Sequence, residues 1–118
     1  MENNKSNSIN VEEIKPNFYS IKLDEYVQGG SNALDFSSTL FNLIEKNAVC
    51  VIIDLQNVKL MNSSGLGMLL NGLKTLKQNN TKMCLVNLTK KIIDLLEMTH
   101  LDKVFQTYKS IDDAINSN

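Results

Sequence analysis

The sequence predicts a single α/β domain: a mixed sheet of about five strands with about four helices packed on it. The length of 118 residues fits one domain with a real core. The apolar fraction of 42% and the charged fraction of 21% are ordinary for a globular protein. After an opening pair of strands, helical and strand-like apolar patterns alternate along the chain. Strands joined through helices run parallel, so we expect a hairpin followed by parallel strands.

The chain opens with a tail and a hairpin. Residues 1–8, MENNKSNS, have no apolar periodicity, and we expect a disordered N-terminal tail followed by one domain over residues 9–118. Residues 9–14 and 18–26 have strand character, and they flank Pro16 and Asn17, a pair typical of turns.

A helix and a buried strand are predicted next. Glycines and polar residues at 28–32 indicate a loop, with Ser31 or Asn32 as the N-cap of a helix over residues 33–47. The apolar face of this helix is formed by Phe36, Leu40, Leu43 and Ile44. The continuous apolar run AVCVIIDL, residues 48–55, predicts a strand covered on both faces.

The second half repeats this alternation. The loop QNVKLMN leads into a second helix, whose predicted buried stripe is Leu66, Leu69, Leu70, Leu73 and Leu76. A second buried strand is predicted over residues 82–88, a helix capped by Thr89 over 90–98, and a short strand over 104–108. Ser110 is the predicted cap of a last short helix.

Composition and charge exclude several classes of function. The net charge of −1 gives no basic field for nucleic acid or anionic lipid. The apolar runs are far shorter than the roughly 20 residues that a membrane span needs, and residues 1–8 are not a signal peptide. We therefore expect a cytoplasmic protein without membrane insertion.

The cysteines and the histidine do not indicate a metal or cofactor. Cys50 and Cys84 lie inside the two buried strands, which favours reduced, inert thiols over a disulfide. With one histidine in the chain, no metal site is expected, and no motif indicates a cofactor.

One segment carries the candidate chemistry. Asn62-Ser63-Ser64-Gly65-Leu66-Gly67 follows a loop and opens the second helix. Anions are stabilised at such a helix start, because its N–H groups are unpaired and the helix dipole is positive there. Four interpretations of this segment are possible: a capped helix start, a dinucleotide site, a nucleophilic serine or a phosphoacceptor serine.

The spacing excludes the dinucleotide site and argues against the nucleophilic serine. The third glycine of G-x-G-x-x-G is replaced by Leu70, and no carboxylate follows the next strand. The G-x-S-x-G pattern of a nucleophilic serine is absent, and His100 is the only candidate base. A helix cap and a phosphoacceptor remain, the latter requiring Ser63 just outside the helix, where a kinase can reach its hydroxyl.

The segment DLQNVKLMNSSGLGMLL resembles the signature of the STAS domain, the fold of bacterial anti-sigma factor antagonists. Asp54 matches the acid at the strand end, and residues 63–67 match the serine-glycine core. LVNLTKKIIDLLEMTHLDKVF and SIDDAI are similar to the family's later strand and helices. The resemblance covers nearly the whole domain and implies its fold.

The resemblance also implies a function. Ser63 corresponds to the phosphoacceptor, the kinase is the anti-sigma factor itself, an ATPase of the histidine-kinase type, and a serine phosphatase resets the switch. Only the unphosphorylated protein binds the anti-sigma factor, which frees a sigma factor; the protein itself is not an enzyme. The expected partner surface is Asn62, Ser64, Gly65, Leu66, Gly67, Met68 and Asn71, with Met68 and Asn71 exposed and the glycines admitting the partner.

Three positions depart from the family pattern. Asn62 replaces the usual Asp, Gln28 occupies a usually acidic position, and His100 replaces a loop glycine. The second possible function is a STAS subunit of another assembly, such as a lipid-transport ATPase complex or a stress sensor, that phosphorylation does not switch. The third possibility is a small α/β domain with an unmodified helix cap, or a small hydrolase that uses Ser63.

Overall fold

The computed structural model describes residues 9–117, so the predicted tail over residues 1–8 and the last residue lie outside the described residues. The elements in chain order are β1 (Asn10–Lys15), β2 (Phe18–Lys22), β3 (Tyr26–Val27), α1 (Ser31–Glu45), β4 (Cys50–Asp54), β5 (Leu60–Met61), α2 (Ser63–Gln78), β6 (Lys82–Val86), α3 (Lys90–Met98), β7 (Gln106–Tyr108) and α4 (Ile111–Asn116). No helix within residues 9–117 is both long and apolar enough to cross a bilayer.

The main sheet has five strands in the order β1-β2-β4-β6-β7. β1 and β2 form an antiparallel hairpin, and the remaining neighbours pair in parallel. The predicted mixed sheet with an opening hairpin and four helices is confirmed.

The two faces of this sheet are covered unequally. The larger core lies under α1, α2 and α3 and includes Phe36, Leu69 and Ile92. The smaller cluster, on the other face, includes Cys50, Ile52 and Ala114 of α4. Since α4 has six residues, it covers only part of its face. α2 lies on the opposite face, with one side packed in the larger core and the other side exposed to solvent.

A second, two-stranded parallel sheet was not predicted. β2 ends at Lys22 rather than at residue 26, and Tyr26 and Val27 pair instead with Leu60 and Met61. A strand of two residues is too short to show an alternation of apolar and polar side chains. For this reason β5 was not predicted within the segment QNVKLMN, residues 56–62. The small sheet fixes Met61 immediately before the serine-glycine segment.

Of the three predicted N-caps outside α2, one is wrong and two are confirmed. Gly30, at φ 63° and ψ −127°, precedes α1 without any side-chain cap, so the predicted cap at Ser31 or Asn32 is wrong. The hydroxyls of Thr89 and Ser110 accept hydrogen bonds from backbone N–H groups of α3 and α4, as predicted.

Both cysteines are buried free thiols, in agreement with the predicted burial. A hydrogen bond with Cys50, together with burial, raises the pKa of the Cys84 thiol. Thiolate is the reactive form, so Cys84 is protected from oxidation and alkylation.

His100 lies after the C-terminus of α3 with φ 61°, in the left-handed region. A side chain with a Cβ atom is strained there, and glycine is not, so His100→Gly is expected to stabilise the protein by about 1 kcal/mol. Urea unfolding measures the change. His100→Ala keeps the backbone strain without the imidazole and is the matched control; an equal gain in both variants would contradict the prediction.

Candidate functional site

Asn62 is the N-cap of α2. Its backbone is extended, and its side-chain Oδ1 accepts a hydrogen bond of 2.8 Å from the backbone N–H of Gly65. Ser63 is therefore the first residue of the helix, and the prediction that it stands just outside the helix is wrong. Because the cap is Asn62, neither serine is needed to start the helix, and both are available for another role.

The two serines are accessible. Ser63 and Ser64 are exposed, and within residues 9–117 neither hydroxyl takes part in a hydrogen bond. A visiting enzyme can therefore reach the Ser63 oxygen without unfolding the helix.

The helix supplies a positive electrostatic environment for Ser63. α2 has 16 residues, its first turn contains no acidic side chain, and Lys77 lies in its last turn. No side chain within the first turn of α2 therefore neutralises the N-terminal end of its dipole. A negative group there is stabilised by about 0.3 to 1 kcal/mol.

The start of α2 is packed tightly against the end of β3. A Cβ atom on Gly65 would overlap the carbonyl oxygen of Val27 and lie 2.7 Å from its carbonyl carbon. The backbone N–H of Asn62 also donates to the Val27 oxygen at 3.2 Å. The close approach that Gly65 permits is therefore within the chain, and the prediction that it admits a partner is wrong at this glycine.

Gly29 makes the second close contact. Its φ is 79°, and a Cβ atom there would lie 2.9 Å from the Cβ of Ser64. Gln28, next to it, is exposed. Residues 27–30, at the end of β3 and in the loop after it, therefore form one continuous surface with the first turn of α2, which places Gln28 near the serines.

The structure separates the predicted partner residues into exposed and buried ones. Met68 is only 6% exposed, so its predicted exposure is wrong, and Leu66 is equally buried. Both side chains belong to the main core. Asn71 is exposed, as predicted, and an added Cβ on Gly67 would meet open space.

Leu70 was assigned to the buried stripe, and this is wrong because it is 37% exposed. Residues at i, i+4, i+7 and i+11 share one helix face, so Ser63 shares its face with Gly67, Leu70 and Lys74. Leu70 was not identified as a surface residue from the sequence. The signal was present, because Leu70 follows Ser63 by seven residues and therefore lies on the same helix face as that serine.

Asp54, the strand-end acid, is 3% exposed. Its Oδ1 accepts hydrogen bonds from the Gln56 backbone N–H at 3.0 Å and from Asn87 Nδ2 at 3.1 Å. It therefore ties the ends of β4 and β6 together and orders the loop that leads towards β5 and Ser63.

Removal of the cap tests this local structure. Asn62→Ala is expected to lower the stability of the protein by about 1 kcal/mol, since a backbone N–H of α2 loses its acceptor. Asn62→Asp keeps an acceptor oxygen and adds a charge at the positive helix end, so its stability should equal or exceed that of the unmodified protein. Denaturant titration compares the two, and equal stabilities would contradict the assigned cap.

Comparison with known proteins identifies the family of this chain. The family model described as STAS domain matches residues 12–114. The chain belongs to the STAS domain family. A protein of Listeria monocytogenes named anti-sigma-B factor antagonist is 30% identical over 73 residues, which is 62% of this chain and 63% of that protein. The aligned segment thus spans less than two thirds of either chain.

Solved STAS structures share the fold. The Bacillus cell fate determinant SpoIIAA in its phosphorylated form matches with a TM-score of 0.70 at 16% identity, over 92% of this chain and 97% of that chain. An anti-sigma factor antagonist from Mycobacterium paratuberculosis matches with a TM-score of 0.77 at 20% identity, over 92% and 91%. At these identities the comparison establishes the architecture.

Proposed function

We propose that this protein is a cytoplasmic anti-sigma factor antagonist whose binding to its partner is switched by phosphorylation of Ser63. The partner is an anti-sigma factor of the histidine-kinase-like ATPase type that also phosphorylates Ser63, and a serine phosphatase reverses the modification. The observation that carries the proposal is an exposed serine in the first turn of a 16-residue helix. That turn contains no acidic side chain, and the serine is not needed as the helix cap. The names of the Listeria and Mycobacterium relatives support the partner class.

The proposed switch leaves the domain folded. A phosphoryl group adds about −1.5 to −2 charges at Ser63. The helix end stabilises negative charge by about 0.3 to 1 kcal/mol, so the free domain tolerates the modification. Asn62 contributes no like charge beside it. The phosphoryl group replaces no atom of the Asn62 cap hydrogen bond or of the contact between Gly65 and Val27, so both contacts are retained.

The same charge opposes binding. A charge buried at an interface without a partner, or facing a carboxylate, costs roughly 2 to 5 kcal/mol. This cost exceeds the stabilisation from the helix dipole several-fold, so the interface term decides the outcome. The phosphorylated protein is thereby released, and the anti-sigma factor becomes free to bind its sigma factor.

The proposed partner surface follows the exposed side of α2. It consists of Asn62, Ser63, Ser64, Gly67, Leu70 and Asn71. Leu70 supplies an apolar contact two helical turns from Ser63. Open space at Gly67 lets a partner side chain approach the helix backbone between them. Leu66 and Met68 contribute indirectly, by fixing the helix in the core.

A kinase assay tests the proposal. The purified protein is incubated with ATP and a candidate anti-sigma factor of the histidine-kinase type, and mass spectrometry locates the phosphate. We expect one phosphoryl group on Ser63, complete loss of phosphate in Ser63→Ala and retention in Ser64→Ala. Phosphate on Ser64, or none with any such ATPase that binds the protein, would contradict the assignment.

A further inference from the structure

A polar cavity of about 320 Å³ lies on the sheet face that α4 covers only in part. Its lining includes Asn10 and Glu12 of β1, Ser20 and Lys22 of β2, Asp54 of β4 and Ile111 of α4. Successive side chains alternate between the faces of a strand. Ser20 therefore lies on the same face as Phe18, and Asp54 on the same face as Ile52, and Phe18 and Ile52 belong to the cluster under α4.

The strand register brings these polar residues side by side. Lys22 is the register partner of both Asn10 and Asp54, and Ser20 is the register partner of Glu12. Five polar side chains from three adjacent strands therefore line one cavity. None of them belongs to the surface around Ser63, so this site is separate from the proposed switch.

Two buried polar atoms that line the cavity have no hydrogen-bond partner among residues 9–117. Ser20 is 7% exposed and Asp54 is 3% exposed. Asp54 uses Oδ1 for both of its hydrogen bonds. Within residues 9–117, the Ser20 hydroxyl and Asp54 Oδ2 have no hydrogen-bond partner. Buried polar groups are nearly always hydrogen-bonded, so two of them on one cavity indicate a ligand with complementary groups.

The chemistry of the lining selects the class of ligand. Asp54 and Glu12 are carboxylates that only accept hydrogen bonds, against the single ammonium of Lys22. We propose that this cavity binds a small primary alkylammonium compound, whose N–H groups donate to Asp54 Oδ2 and to the Ser20 oxygen. Ile111 offers an apolar surface to the alkyl part.

Size limits the ligand further. Water occupies about 30 Å³ per molecule in the liquid, so the cavity has room for about ten non-hydrogen atoms. Lys22 and Asn10 accommodate a hydroxyl or carboxylate on the ligand, whereas Glu12 accommodates a second ammonium. An amino alcohol, an amino acid and a short diamine share the ammonium group and differ in the second group, so the experiment compares all three.

The test is an NMR titration of the ¹⁵N-labelled protein with ethanolamine, alanine and putrescine, each at constant ionic strength. Tetramethylammonium, which has the same charge as ethanolamine but no N–H group, is the control. We expect saturable shifts of the amides of residues 10–12, 20–22 and 54 with at least one compound, at a Kd of about 1 mM or lower, and none with the control. No saturable shift with any of the three, or equal shifts with tetramethylammonium, would overturn the proposal.

Two substitutions locate the binding. Asp54→Asn removes the charge with little change in shape, and Ser20→Ala removes the hydroxyl; loss of a hydrogen bond to a charged group is expected to weaken binding about 10- to 100-fold. Glu97→Gln, on the exposed surface of α3, is the control for a lost carboxylate and should bind normally. If Asp54→Asn does not fold, Ser20→Ala decides. Unchanged affinity in Ser20→Ala would overturn the assignment of this cavity.

Discussion

Gly65→Ala is expected to destabilise the protein by about 3 kcal/mol or more, the upper range for forced overpacking. The new methyl group would overlap the Val27 carbonyl oxygen, and backbone cannot rotate away as the end of a flexible side chain can. Separating the two segments would also lengthen the bond between the Asn62 N–H and the same oxygen. The loss should appear as a lower urea midpoint or as failure to fold.

Gly67→Ala is the matched control for this substitution. It introduces the same methyl group two residues further along α2, where an added Cβ meets open space. Alanine favours the helix interior over glycine by about 0.5 to 1 kcal/mol, so Gly67→Ala should be slightly more stable than the unmodified protein. If the two variants were equally stable, the close packing of α2 on residues 27–30 would be refuted.

Ser63→Asp is expected to weaken binding to the proposed anti-sigma factor partner by 30-fold to several-thousand-fold, which corresponds to roughly 2 to 5 kcal/mol. The carboxylate imitates part of the phosphoryl charge at a position that we place inside the interface. Isothermal titration calorimetry measures the change. The midpoint of unfolding should stay near that of the unmodified protein, because the helix end tolerates the charge.

Asn116→Asp is the control for net charge. It adds one negative charge on α4, at the sheet face opposite α2, and should bind the partner normally. If Ser63→Asp also bound normally, the alternative of a STAS subunit in an assembly not switched by phosphorylation would be favoured.

Long periodic elements could be predicted from the sequence, because core burial imposes their pattern. The run at residues 48–55 contains β4, and the apolar face of residues 33–47 lies within α1. The pairing of β3 with β5 could not be predicted, since two-residue strands have no period and their pairing depends on tertiary context.

The candidate site could be predicted in identity but not in geometry. The serine-glycine segment points to Ser63, yet the sequence does not reveal that the Asn62 side chain caps the helix. The burial of Met68 and the exposure of Leu70 depend on how α2 is rotated against the sheet. That rotation depends on core packing and on the close approach of Gly65 to Val27, a contact between residues distant in sequence.

The most direct test of the switch compares the unmodified protein with protein carrying phosphoserine at position 63. Thermal unfolding and affinity for the proposed anti-sigma factor partner are measured on the same two samples. We predict an unchanged or slightly higher Tm together with affinity at least about 30-fold weaker. A marked fall in Tm, or equal affinities, would contradict a switch that acts at the interface and spares the fold.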